Sequence, residues 1–226
     1  ASDYLTKPVV PAELNGALKR MVDSFDARKQ EQQNMYAARQ VLEQNREMLS
    51  RWLVKMLLQG DQEGVTVEET LQQLRVLDMA PVGDHCVVLM VAERKNEDAT
   101  LNSGVQTATV KQYLENRFHE AGYGVICYLD DDMVLSVLLS SKEPIKPDAL
   151  EELCIAARNE FKFYFGQHHC IGIGAVVDAQ TFISQSAASA KRALQDSLML
   201  SDQQVVSWQN LREKNVTPTQ NQQMNR

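Results

Sequence analysis

The stretch Gly124-Val125-Ile126-Cys127-Tyr128-Leu129-Asp130-Asp131-Asp132-Met133-Val134-Leu135-Ser136-Val137-Leu138-Leu139 sets the frame for the whole chain. Two apolar runs of strand length, Gly124–Leu129 and Met133–Leu139, flank three consecutive aspartates, which is a hairpin signal. Upstream, Val110, Leu114 and Phe118 recur at helical spacing within residues 105–121, and Gly122 stops the helix. Before that helix, His85–Glu93 is an unbroken apolar run that reads as a central strand buried on both faces. Downstream, Pro147 opens a helix carrying Leu150, Leu153, Ala157 and Phe161. A strand over residues 170–177 follows, with Gly172 and Gly174 placed so that it can press closely on a helix. The next helix, over 179–200, presents Phe182, Ala190, Ala193 and Leu194, and residues 205–208 read as a short last strand. The order is strand, helix, strand, strand, helix, strand, helix, strand. It predicts an α+β domain over residues 60–212, a mixed sheet flanked by helices with β-α-β-β-α-β at its centre.

Ahead of the sheet, Thr66-Val67-Glu68-Glu69 is a capping box, and Leu71, Leu74 and Leu77 line the short helix it starts. Residues 213–226 are polar and rich in Gln and Asn, the composition of a disordered tail.

Residues 11–59 contain no proline after Pro11 and only one glycine, Gly16, and strong helix formers dominate them. Steps of four and three pick out a seam through Leu14, Leu18, Met21, Phe25, Met35, Leu42, Leu49, Leu53 and Met56. Its centre is polar, at Arg28, Gln32, Arg39 and Arg46. A continuous helix of this kind is roughly 70 Å long at about 1.5 Å per residue. Such a helix suits parallel pairing with a second copy or a rod joining two domains, and the expectation is a coiled-coil arm that pairs with a second copy. Two shorter helices broken near 26–32 or 44–47 are the alternative. Trp52, with Leu53, Met56 and Leu57, is read as a face docking the helix onto the α+β domain.

The 226 residues carry 23 Lys+Arg against 30 Asp+Glu, a net charge of −7, which argues against nucleic-acid binding by these residues. Hydrophobic residues make up 44%, enough for a core, and no apolar run reaches the length of a membrane helix. Cys86, Cys127, Cys154 and Cys170 form no CxxC pair and sit in apolar surroundings. They read as buried thiols in a reducing cytoplasm.

Ala1-Ser2-Asp3-Tyr4-Leu5-Thr6-Lys7-Pro8-Val9, followed by Glu13-Leu14 and Leu18, resembles the last strand-to-helix segment of a response-regulator receiver domain. That resemblance covers about the first 22 residues. It implies that Lys7 is the lysine that contacts the phosphoryl group, that Tyr4 is the aromatic switch residue, and that a histidine kinase acts on the parent receiver. No phosphoacceptor aspartate precedes this point, so residues 1–22 read as a remnant of a receiver.

The element order over residues 85–208, with an acidic hairpin after the first helix, is similar to nucleotide-cyclase palm domains of the GGDEF type. The resemblance places the signature at Leu129-Asp130-Asp131-Asp132-Met133, where both glycines are replaced. Those glycines let the backbone approach a nucleotide. The resemblance also requires a magnesium-binding aspartate on the first strand, where this chain reads Val91-Ala92-Glu93-Arg94. Glu93 is the available substitute. The expectation is a degenerate domain with no catalytic residues, no cofactor and no metal.

Receiver end, long helix, degenerate GGDEF-like domain and the segments 171–174, 186–200 and 205–211 together resemble the central region of YesN/AraC-type response regulators. The resemblance implies a non-enzymatic relay and dimerisation region of a two-component transcriptional regulator, with DNA binding confined to a further domain of the parent protein. A small-molecule or nucleotide sensor in the vestige of the cyclase cleft is the alternative.

Three further patterns are weighed and set aside. Asp130-Asp131-Asp132 offers hard oxygen ligands but reads as a solvated turn. His168-His169 beside Cys170 would point to opposite faces of a strand, which disfavours zinc. Gly172 and Gly174 lack the third glycine of a dinucleotide fingerprint.

Overall fold

The computed structural model describes residues 25, 29, 45–62, 64–94, 103–165, 168–199 and 204–216. The chain divides into two units, residues 1–49 and residues 50–226. In the first, the described residues (25, 29 and 45–49) are all helical. Helix α1 covers residues 45–59. The second unit continues with α2 (Val67–Val76), β1 (His85–Glu93), α3 (Ser103–Glu120), β2 (Gly124–Leu129) and β3 (Leu135–Ser141). It ends with α4 (Pro147–Phe165), β4 (His169–Ile173), α5 (Ile183–Met199), β5 (Val205–Ser207) and α6 (Trp208–Val216).

The five strands form one mixed sheet in the order β2-β3-β1-β4-β5. Every neighbouring pair is antiparallel except β4 with β5, which is parallel. Strand β1 is central, and its side chains alternate between two cores. Val87, Leu89 and Val91 pack under α3 and α4 with Leu114, Phe118, Leu150 and Phe161. Cys86 and Val88 face the other way, against Leu53, Val54 and Leu57 of α1, Leu71 and Leu74 of α2, and Ala187 and Ala190 of α5. The expected α+β architecture with a β-α-β-β-α-β centre is what forms.

The capping box starts α2 as its sequence predicts: the Glu69 amide donates to Thr66 Oγ1 at 3.2 Å, and the Thr66 amide donates to the Glu69 carboxylate at 3.1 Å. Hydrogen bonds from Thr66 hold the Glu69 carboxyl below its usual pKa.

Strand β4 is shorter than the expected 170–177. Past Ile173 the Gly174 amide still donates to the Val88 carbonyl, but the Val88 amide turns to Ser186 Oγ on α5, at 2.8 Å. Ser189 Oγ likewise accepts the Ala175 amide at 2.8 Å. The two serines replace the ladder where the strand leaves it. The close approach expected at the glycines is present: a Cβ on Gly172 would overlap the backbone of Ala190 and Leu194, and one on Gly174 would overlap Ser186.

Two expectations about the ends change. Residues 213–216 belong to α6. The Arg192 guanidinium lies 5.8 Å from the centre of the Trp208 ring at the start of that helix, and Asn210 donates to the Glu151 carboxylate. The expected tail beyond residue 216 lies outside the described residues. In α1, Leu53 and Leu57 dock on the domain as expected, joined by Val54, but Trp52 does not: it is 44% exposed against 0% for Leu53.

Among the described residues no helix is long and apolar enough to cross a membrane. The four thiols are free, three of them buried. Burial is the main influence raising the pKa of Cys86, to about 12, and it raises those of Cys127 and Cys154 as well. None of these three is a thiolate at neutral pH.

Candidate functional site

A cleft of about 370 Å³ opens between α1, α5 and the β2–β3 hairpin. Its floor is one cross-strand row. Tyr128 on β2 pairs with Ser136 on β3, and Ser136 pairs with Met90 on β1, so all three side chains share a sheet face. Lys55, Leu58 and Gln59 of α1 form one wall, and Ser184, Ala187, Ala188 and Lys191 of α5 another. The hairpin tip closes the third side with Asp130, Asp131 and Asp132.

The hairpin is built around Asp130. Its carboxylate accepts the Val134 amide at 2.8 Å, and its backbone amide donates to the Val134 carbonyl at 3.1 Å. Its carbonyl accepts the Met133 amide at 3.2 Å, and Met133 is forced to a positive φ of 62°. The turn expected at the three aspartates is what forms. The Asp130 side chain serves the turn as an acceptor of a local backbone bond. Arg51 of α1 donates from Nη2 to the Leu129 carbonyl at 3.4 Å, which ties α1 to the base of the hairpin.

The resemblance to cyclase palms implies a magnesium nucleotide here, and the residues present do not fit one. On β1 the cleft face is set by Met90, and strand alternation puts Ala92 on that same face. Neither offers oxygen. Glu93 is one residue out of phase: it pairs with His169 and falls on the α3–α4 side with Val91, so it is no substitute ligand. A hard divalent cation needs several convergent oxygens, and no group of three or more candidate ligands occurs among the described residues. At positions 129 and 130, where the signature calls for glycines, Leu129 carries a partly buried side chain packed against the α3–α4 core.

The other sequence-derived residues are scattered. Tyr4, Lys7, Leu14, Leu18, Met21, Met35 and Leu42 lie outside the described residues. Phe25 is helical and 63% exposed. Leu49 is exposed and Met56 half-buried. Leu53 is corrected: it belongs to its own domain's core and is not free to line a seam. His169 begins β4 buried, with its ring 5.1 Å from that of Phe161 and its Nδ1 without a partner. Burial, and then the neighbouring His168, push its pKa down to about 4. Lys55, Lys191, Tyr128, Ser136 and Met90 were not singled out from the sequence. Only strand phase, with Met90 in step with Val88, could have marked one of them.

No curated protein matches the chain. The family model of the GGDEF-like domain matches residues 60–195, more than half of the chain, which includes the hairpin and every strand but β5. The chain therefore belongs to the GGDEF-like domain family.

Proposed function

We propose that the chain is a non-catalytic signal-relay and dimerisation region of a cytoplasmic two-component transcriptional response regulator of the YesN/AraC type. The observation that carries this reading is the double attachment of α1 within the second unit. Leu53, Val54 and Leu57 are set into the core of the GGDEF-like domain, and Arg51 holds the Leu129 carbonyl at the base of the hairpin. A helix packed this way cannot rotate or slide without disturbing the sheet face and the hairpin together, because close-packed interiors transmit displacement. The β1 face without oxygen ligands, and the missing glycines at 129 and 130, favour relay over turnover. The helical arms pair with those of a second copy. Exposed Leu49 contributes, and Leu53 stays with its own domain. DNA contact and phosphorylation by a histidine kinase belong to other parts of the parent protein.

The test is the solution mass of the full chain beside residues 50–226, by sedimentation. A dimeric full chain and a monomeric shorter piece are expected. Equal association states overturn the pairing. Incubation with GTP and magnesium is expected to leave the nucleotide intact, and any cyclic product overturns the non-catalytic assignment.

A further inference from the structure

The cleft carries charges of both signs on different walls. Lys55 and Lys191 come from two different helices, and Asp131 and Asp132 from the hairpin tip. Among the described residues no ion pair joins either lysine to either aspartate. Asp130 is already held by the Val134 amide. Met90 and the Tyr128 ring of the floor, with Leu58 and Ala187 of the two helical walls, give an apolar lining beside the charges. The volume, about 370 Å³, is at the small end of ligand sites.

From this arrangement we infer that the cleft binds a small zwitterion, an ammonium and a carboxylate joined by a short apolar stem. The carboxylate lies against Lys55 and Lys191, the ammonium against Asp131 and Asp132, and the stem over Met90. A nucleoside triphosphate is disfavoured, because its charge is all of one sign and the aspartate wall repels it. Bound there, the zwitterion bridges α1, α5 and the hairpin, the elements that the relay reading couples. The inference rests on that reading for its consequence and on the cleft alone for its chemistry.

The experiment is titration calorimetry of the full chain with a series of unbranched ω-amino acids, from 4-aminobutanoate to 8-aminooctanoate. Affinity is expected to rise about fourfold for each methylene added until the stem fills the cleft, then to fall. Lys191→Met or Lys55→Met, and Asp131→Asn with Asp132→Asn, are each expected to weaken the best member tenfold or more. All four are charge removals, three on exposed side chains and one, Lys55, on a half-buried one, and a thermal melt of each variant checks that it folds. Acetate and butylamine, each supplying one half of the recognition, are expected to bind at least tenfold more weakly. Failure of every ω-amino acid to bind, affinity indifferent to the substitutions in folded variants, or competition by magnesium–GTP would each overturn the inference. None of these outcomes alters the solution mass or the turnover measurement, so the relay reading stands or falls separately.

Discussion

The Asp130 carboxylate reaches forward to the Val134 amide at 2.8 Å and closes the hairpin whose tip walls the cleft. The same loop holds Met133 at a φ of 62°. A non-glycine residue in that region is strained by about 1–2 kcal/mol. Two substitutions should therefore act in opposite directions. Asp130→Ala removes the acceptor of a part-buried amide and should destabilise the protein by about 1–2 kcal/mol. Met133→Gly relieves the strain at an exposed position and should stabilise it by about 0.5–1 kcal/mol after the glycine's larger unfolded entropy. Urea denaturation of both variants checks the pair, and a destabilised Met133→Gly would show that the side chain's packing outweighs the strain.

Ser186 stands in for a strand. Its hydroxyl oxygen accepts the Val88 amide in the middle of the sheet, where β4 has already turned away. Ser186→Ala leaves that buried amide without a partner, a loss of about 1–3 kcal/mol. Ser186→Thr keeps the oxygen but adds a methyl where the site is fully buried, so it should recover little. Chemical denaturation distinguishes the two, and near-native stability of Ser186→Ala would mean that water takes the place of the hydroxyl.

His169 makes stability fall with acid. Its folded pKa is depressed to about 4, chiefly by burial, while in the unfolded chain it lies near its ordinary 6.5. Above 6.5 both states are neutral and the group contributes nothing. As pH falls from 6.5 towards 4, the unfolded state takes up a proton that the folded state refuses, and up to about 3 kcal/mol is lost. His169→Leu should remove this component. The difference in unfolding free energy between wild type and variant, measured at pH 7.5, 5.5 and 4.5, isolates it from the carboxylates. A constant difference would place the imidazole in contact with water.

Adjacent residues of α1 should respond differently. Leu53 is fully buried among Leu57, Leu71 and Val88, so Leu53→Ala should cost about 3 kcal/mol through the cavity it leaves. Trp52 is 44% exposed, and Trp52→Ala should cost less than about 1 kcal/mol in thermal unfolding of residues 50–226. Equal losses would mean that the helix sits on the domain in a different rotation.

Much of the fold was legible because its signals are local. Thr66 and Glu69 satisfy each other across three residues, and the run of aspartates between two apolar strands can only turn. Phe118 and Leu114 declare a helix face by their spacing alone. The candidate site was less legible. An unbroken apolar strand such as His85–Glu93 hides its own phase, so that Glu93 looked available until its pairing with His169 put it on the far side from Met90. The seam had the same ambiguity. A leucine at position 53 satisfies a heptad equally well whether it meets a second helix or the sheet of its own domain, because burial of apolar area has no direction.

Residue types and their spacing alone established the element order from β1 to β5, the α+β class, the cap of α2 and the loss of the signature glycines, since each depends on chain neighbours or on the residue itself. Packing was needed to assign Leu53 inward and Trp52 outward. Only the folded sheet brought Lys55, Lys191 and the hairpin aspartates around Met90, because groups so distant along the chain meet only when the strands set their register and α5 closes on Gly172.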